Sequence, residues 1–322
     1  MKISFKKKPI YAVFLSLVFS TCFWIILDID SIIAANGIQT QDVSDLSKYY
    51  KFYNTNSFDS LLAIDWSKGQ IFYGIFYLFK VAGVSFELFL FIIINLYYIT
   101  FAKLARNFLK TGNIYIVFLI YGTLTFWLVP AVSVALRQGF AMLLIALFLE
   151  IFDRKKNFLL KFLIIFIITG IHFSAIIFLP LVVFWSMLKR ETLLLNSLFF
   201  ITLTLYITNS WGFLSSQIVL LLIDMNMPLG ALSSSSASHY IVGFSSYKMI
   251  AFLLPIILYR VPIYFGCSHN IEVISIYILF VYFSIIGMIF SGFPYHDRFF
   301  LYAWIFSPIL IASFFKLFLI KK

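Results

Sequence analysis

The chain has 322 residues, of which 62% are hydrophobic and only 11% charged, with a mean hydropathy of +1.01. No water-soluble globular chain of this size carries such a balance, so the bilayer is its solvent and no soluble domain is large enough to hold the function. The net charge of +11 suits the Lys and Arg that orient membrane loops and meet anionic lipid, which excludes reading it as a nucleic-acid surface.

In chain order, Lys2, Lys6, Lys7 and Lys8 precede an apolar run over 10–27. That run is long for a signal segment and no small-residue cleavage site follows, which predicts a retained first helix. An acidic outer loop over 28–69 comes next, with Asp28, Asp30, Asp42, Asp45, Asp59 and Asp65. The apolar stretch from Gln70 to Ala82 is about half a span long and predicts a re-entrant or interfacial helix. Further spans are predicted over 85–101, 113–130, 137–152, 157–171, 173–188, 192–208, 246–262, 271–290 and 298–316, about ten crossings with the first. A second outer loop over 208–245 holds an amphipathic surface segment at 213–223 and the Ser233–Ser236 run.

The expectation is therefore a single all-α, polytopic transmembrane domain over 1–322, with both termini cytoplasmic. The positive-inside rule supports this layout, because it places seventeen of the 24 Lys and Arg inside and seven outside. The seven are Lys48, Lys51, Lys68, Lys80, Arg137, Lys248 and Arg298. Cys22 and Cys267 fall on opposite sides, so no disulfide is expected between them. The 41 Phe residues read as lipid-facing surface and not as a binding stripe.

Ionisable residues near hydrocarbon are expensive, so their positions are the best functional pointer. Arg137 and Gln138 open the fourth span, His172 and Ser174 stand at the turn between the fifth and sixth, and His296, Asp297 and Arg298 open the tenth. Each alone is commonly an interfacial anchor or a loop ion pair. Together they lie on one side of the membrane, all at N-termini of inward-running helices, where unpaired N–H groups and the helix dipole favour an anion. Arg137 and Arg298 then read as a clamp for phosphate or pyrophosphate oxygens, with a lipid carrier as the natural source. His172, with an ordinary pKa of about 6.5, is the candidate base, and His296 is its rival. Asp28 and Asp30 have metal-site spacing but read more simply as span terminators, and His239 and His269 have no partner in the sequence. HExxH, Walker A, GxGxxG and GxSxG motifs do not occur.

Leu136-Arg137-Gln138-Gly139-Phe140-Ala141, then Arg154-Lys155-Lys156, then Gly170-Ile171-His172-Phe173-Ser174-Ala175 form an ordered series. This series resembles the EpsG family of Wzy-type polysaccharide polymerases, in which an Arg-Gln helix start, a basic cytoplasmic turn and an outer His-x-Ser recur in that order. Asp45-Leu46-Ser47-Lys48-Tyr49 is similar to that family's loop before a half-length apolar segment, although Gln39-Thr40-Gln41-Asp42 stands where a Gly-x-Asp is common. The last third matches only in hydropathy and in Arg298.

The resemblance implies a GT-C-like membrane fold and polymerisation of an O-antigen or related exopolysaccharide at the periplasmic face of a bacterial inner membrane. It implies undecaprenyl-pyrophosphate-linked glycans as donor and acceptor, a chain-length regulator as partner, and neither metal nor other cofactor. The expected roles are catalytic for Arg137, Arg298 and His172. Gln138, Ser174, His296, Asp297, Asp42, Asp45 and Tyr49 are expected to bind substrate. Three alternatives stay open on the residues alone: a transferase using a polyprenyl-phosphate sugar with Asp28 and Asp30, a lipid-linked oligosaccharide flippase, and glycan transfer onto a lipid A core.

Overall fold

The computed structural model describes residues 10–27, 45–55, 57, 64–110, 113–133, 135–154, 157–224, 243–264, 273–293 and 296–320, and all regular structure among them is helical. The chain divides into two compact units, residues 1–185 and 186–322.

The first unit contains α1 (Ile10–Leu27), α2 (Asp45–Thr55), α3 (Gln70–Val81), α4 (Phe86–Phe108), α5 (Ile114–Ser133), α6 (Leu136–Arg154) and α7 (Phe158–Thr169), and α8 (Leu179–Arg190) runs out of it. Single turns of 3₁₀ helix at Trp66–Lys68 and Phe173–Phe178 precede α3 and α8. At the centre, α4 buries Leu90, Ile93, Ile94, Tyr97, Tyr98 and Phe101, a stripe at helical spacing that meets α1, α5 and α6. Phe19 of α1 lies edge-on to Phe118 and Tyr121 of α5, with ring centroids 5.1 and 5.3 Å away. The hydroxyls of Tyr98 and Thr125 sit 2.7 Å apart and satisfy each other inside the apolar core.

Helix α4 begins where Ser85 accepts the Leu88 N–H at 3.2 Å, with Glu87 in the first turn completing a favourable N-terminus. It ends at Phe108, beyond the predicted 101. Lys103 interrupts the apolar run just after 101, whereas Leu104, Ala105 and Phe108 carry the buried stripe onward. With 12 residues, α3 is the half-length helix that the sequence predicts. At about 1.5 Å per residue it spans only some 18 Å, well short of a bilayer core. Its inner side and α2 share an aromatic cluster of Tyr49, Tyr53, Phe72, Phe76, Phe86 and Phe89, and the Tyr53 hydroxyl donates to the Val84 carbonyl at 2.7 Å.

The second unit contains α9 (Thr192–Ile207), α10 (Ser210–Asp224), α11 (Ser246–Tyr264), α12 (Val273–Ile289), α13 (Asp297–Trp304) and α14 (Ser307–Ile320). Helix α12 is apolar all round and buried all round, enclosed by α9, α10, α11, α13 and α14. The span predicted over 298–316 is two helices. Pro308 has no N–H to give to the Trp304 carbonyl, and the Ser307 hydroxyl donates to that carbonyl instead, at 2.7 Å. The segment predicted as lying on the surface at 213–223 belongs to α10, and its Ser215 is buried and accepts the Gly292 N–H at 2.8 Å.

Among the described residues five stretches are long and apolar enough to cross a membrane: 86–108, 114–133, 173–190, 246–264 and 297–316. Large apolar side chains such as Phe14, Leu159 and Leu193 are more than 60% exposed on other helices, a surface compatible with a membrane protein.

Candidate functional site

In the first unit the site is assembled around Arg137, the second residue of α6. Its Nε donates to the Tyr49 hydroxyl at 2.9 Å, and its Nη1 donates to the Lys68 carbonyl. These bonds occupy two of the five N–H donors of the guanidinium. The guanidinium carbon also lies 6.0 Å from the Tyr49 ring centroid and 5.6 Å from that of Tyr73, at the outer range of cation–π attraction. Tyr49 is held in turn by edge contacts with Phe72 and Phe76, so α2 and α3 together aim its hydroxyl.

The turn that presents the Lys68 carbonyl requires a glycine. Gly69 has φ +90°, and a Cβ there would stand 2.7 Å from the Ile171 carbonyl oxygen and 3.0 Å from Arg137 Nη1. The same clash distances show how closely Arg137 approaches the turn before His172. The Ile71 N–H donates to the Gly170 carbonyl at 3.0 Å, and Trp66 stacks on Phe166 at 4.9 Å, which seats the α3 entry on the end of α7. Gly170 is required for that seat, since a Cβ there would meet the Trp66 ring at 2.5 Å.

His172 stands in extended conformation ahead of the 3₁₀ turn, half-buried, with Nδ1 2.6 Å from the Ser174 hydroxyl. Where Nδ1 carries the proton and donates to Ser174, the lone pair falls on Nε2, which is the form a base needs. The His-x-Ser spacing therefore makes a local bond that fixes the imidazole. Gln138 is fully buried in α6 and belongs to the core side of that helix. Asp45 opens α2 one turn ahead of Tyr49, whereas Asp42, Asp28, Asp30, His239 and His269 lie outside the described residues.

In the second unit the polar centre joins His296 and Asp297 to a residue outside the predicted site, Lys248. Lys248, counted as an outer lysine by the sequence reading, is 6% exposed, and its Nζ donates to His296 Nε2 at 2.9 Å. His296 is 1% exposed, and its Nδ1 donates to the Phe293 carbonyl at 3.0 Å. An imidazole that donates at Nδ1 and accepts at Nε2 is neutral. Burial, and then the Lys248 charge, push its pKa down to about 4, against the opposite pulls of the Phe293 carbonyl and Asp297. The lone pair expected of a rival base is thus engaged by Lys248.

Asp297 follows His296, and its Oδ1 is buried without a hydrogen-bond partner among the described residues. It acts on Lys248 through charge, with no ion-pair contact. Arg298, next along α13, is half-buried. The signal for Lys248 was in the sequence, since a lysine three residues into an apolar helix is expensive unless something meets it.

No protein-family model, curated protein or solved structure matches this chain.

Proposed function

We propose that the chain is a membrane glycosyltransferase of the Wzy polymerase type. It joins undecaprenyl-pyrophosphate-linked repeat units at the periplasmic face of a bacterial inner membrane, using about ten crossings, with α3 re-entrant and both termini cytoplasmic. The observation that carries the reading is the meeting of Tyr49, the Lys68–Gly69 turn and Arg137, beside the turn that leads into His172. Tyr49, Arg137 and His172 stand in segments whose order resembles that family, and they are separated by up to 123 residues of chain.

In the proposed reaction the bond between the sugar C1 and the pyrophosphate oxygen breaks, and the carrier leaves with the electron pair. The acceptor hydroxyl oxygen forms the new bond to C1 and gives its proton to a base. Arg137, oriented by Tyr49, neutralises charge developing on the pyrophosphate, and His172 Nε2 takes the proton. In the second unit, Arg298 carries a permanent charge at the start of α13, and Lys248 with Asp297 supplies a buried donor and acceptor for glycan hydroxyls. Chain length is set with a separate regulator.

The test is surface polysaccharide from a deletion strain complemented with wild type, Arg137→Ala or His172→Ala at matched protein levels. Wild type restores a ladder, and each variant gives a single repeat. A ladder of normal length with Arg137→Ala refutes the assignment. Loss of all surface repeat in the deletion strain places the protein at an earlier step, such as flipping.

A further inference from the structure

The second unit carries another cationic centre, at the end of α12 remote from His296. Arg260 of α11 donates through Nε to the Tyr277 hydroxyl at 3.1 Å, and its guanidinium carbon lies 4.8 Å from the centroid of that ring. The Tyr277 hydroxyl donates in turn to Asn196 Oδ1 at 2.6 Å. Tyr259 stacks on the same Tyr277 ring, with centroids 4.5 Å apart and planes inclined by 24°. Three helices, α9, α11 and α12, therefore fix one arginine.

Among the described residues no carboxylate lies within ion-pair distance of Arg260 and no acceptor takes a hydrogen bond from its Nη groups. An arginine that only anchors a helix end leaves its side chain free to reach water and needs no orienting partner. Here the Nε edge is spent on Tyr277, which leaves the Nη edge as the one that can meet a ligand. A pre-aimed guanidinium edge matches two oxygens of a phosphate, and the amide nitrogen of Asn196 adds a neutral donor at the same end.

The depth fits as well. Arg260 lies four residues, about 6 Å, before the end of α11 at Tyr264, and Tyr264 is 88% exposed, as an interfacial aromatic is. Lys189 and Arg190 close α8 just before Glu191 and the start of α9 at Thr192, so the same end of the unit holds a net positive charge. Lys248 and Arg260 are twelve residues, about 18 Å, apart on α11, so this centre is separate from the His296 cluster.

We propose that Arg260, oriented by Tyr277 and Asn196, binds the phosphate diester of an anionic phospholipid headgroup. The site does not depend on the glycosyl-transfer reading, and its test uses no activity. Full-length protein in detergent is titrated with phosphatidylglycerol or phosphatidylcholine and the bound lipids are counted by native mass spectrometry.

Wild type retains one phosphatidylglycerol about tenfold more tightly than phosphatidylcholine, because both carry the diester but the choline cation of phosphatidylcholine is repelled by the guanidinium. Arg260→Gln loses that preference, Tyr277→Phe reduces it, and Lys103→Gln, at a helix end of the first unit, keeps it. Equal phosphatidylglycerol retention by wild type and Arg260→Gln overturns the proposal. If Arg260→Gln does not fold, an unchanged preference in Tyr277→Phe overturns it instead. Displacement of the lipid by millimolar inorganic phosphate, with phosphate binding equally well in lipid-free detergent, assigns the site to a soluble anion and overturns the lipid.

Discussion

Replacing Tyr49 by Phe removes one oxygen, and with it the bond to Arg137 Nε, and leaves the ring that packs on Phe72 and Phe76. A hydrogen bond to a charged group contributes about 1.5–3 kcal/mol, equivalent to roughly 10- to 100-fold if all of it is expressed in the transition state. The Lys68 carbonyl still holds Nη1 in the variant, which favours the lower end, so about a tenfold loss of rate is expected. The assay is incorporation of labelled lipid-linked repeat units into longer chains by membranes holding equal amounts of protein. Tyr49→Phe, Arg137→Ala and the double variant form a cycle. If Tyr49 acts by orienting Arg137, the double variant is no slower than Arg137→Ala alone. A further tenfold loss in the Arg137→Ala background would show that Tyr49 works independently, and the positioning argument would be wrong.

Gly69→Ala places a Cβ at φ +90° against the Ile171 carbonyl and Arg137, so a loss of about 1–3 kcal/mol and a collapse of activity are expected, read by thermal unfolding and the same incorporation assay. Lys248→Met removes the charge that helps depress His296, so the His296 pKa rises above about 4 in an NMR titration of labelled histidine; an unchanged value would sever the link between the two. The unfolded imidazole takes a proton as pH falls through about 6.5, while the folded one stays neutral down to about 4. Stability from this group is therefore full above 6.5 and declines between the two values, by roughly 2–3 kcal/mol at pH 4.5. Chemical denaturation at pH 7 and pH 4.5, compared with His296→Phe, measures this, and equal acid losses in both proteins would count against it.

The helices were legible to different degrees, for physical reasons. The stripe from Leu90 to Phe101 repeats at helical spacing, and α3 announces its half length by where its apolar run stops. The break before α14 was also written in the chain, because Ser307-Pro308 interrupts an apolar run where proline must cost a backbone bond. Treating all of 298–316 as one unit of hydropathy hid it. Periodicity carries nothing about the pairing of Tyr49 with Arg137 across 88 residues, although the motif order had named both. The burial of Lys248 was hidden for a related reason. A lysine near a helix start reads as an anchor until the His296 imidazole supplies an acceptor.

The bond from Arg137 to position 68 is made to the main chain, not to the lysine side chain. Substitution can therefore erase the identity of residue 68 without erasing the contact, whereas the neighbouring glycine tolerates no replacement without strain. Relatives of this chain are expected to vary freely at the first position and to be silent at the second. A saturation library across the turn should record the same asymmetry, with one tolerant site beside one intolerant site. The tolerant one is the residue that touches the arginine.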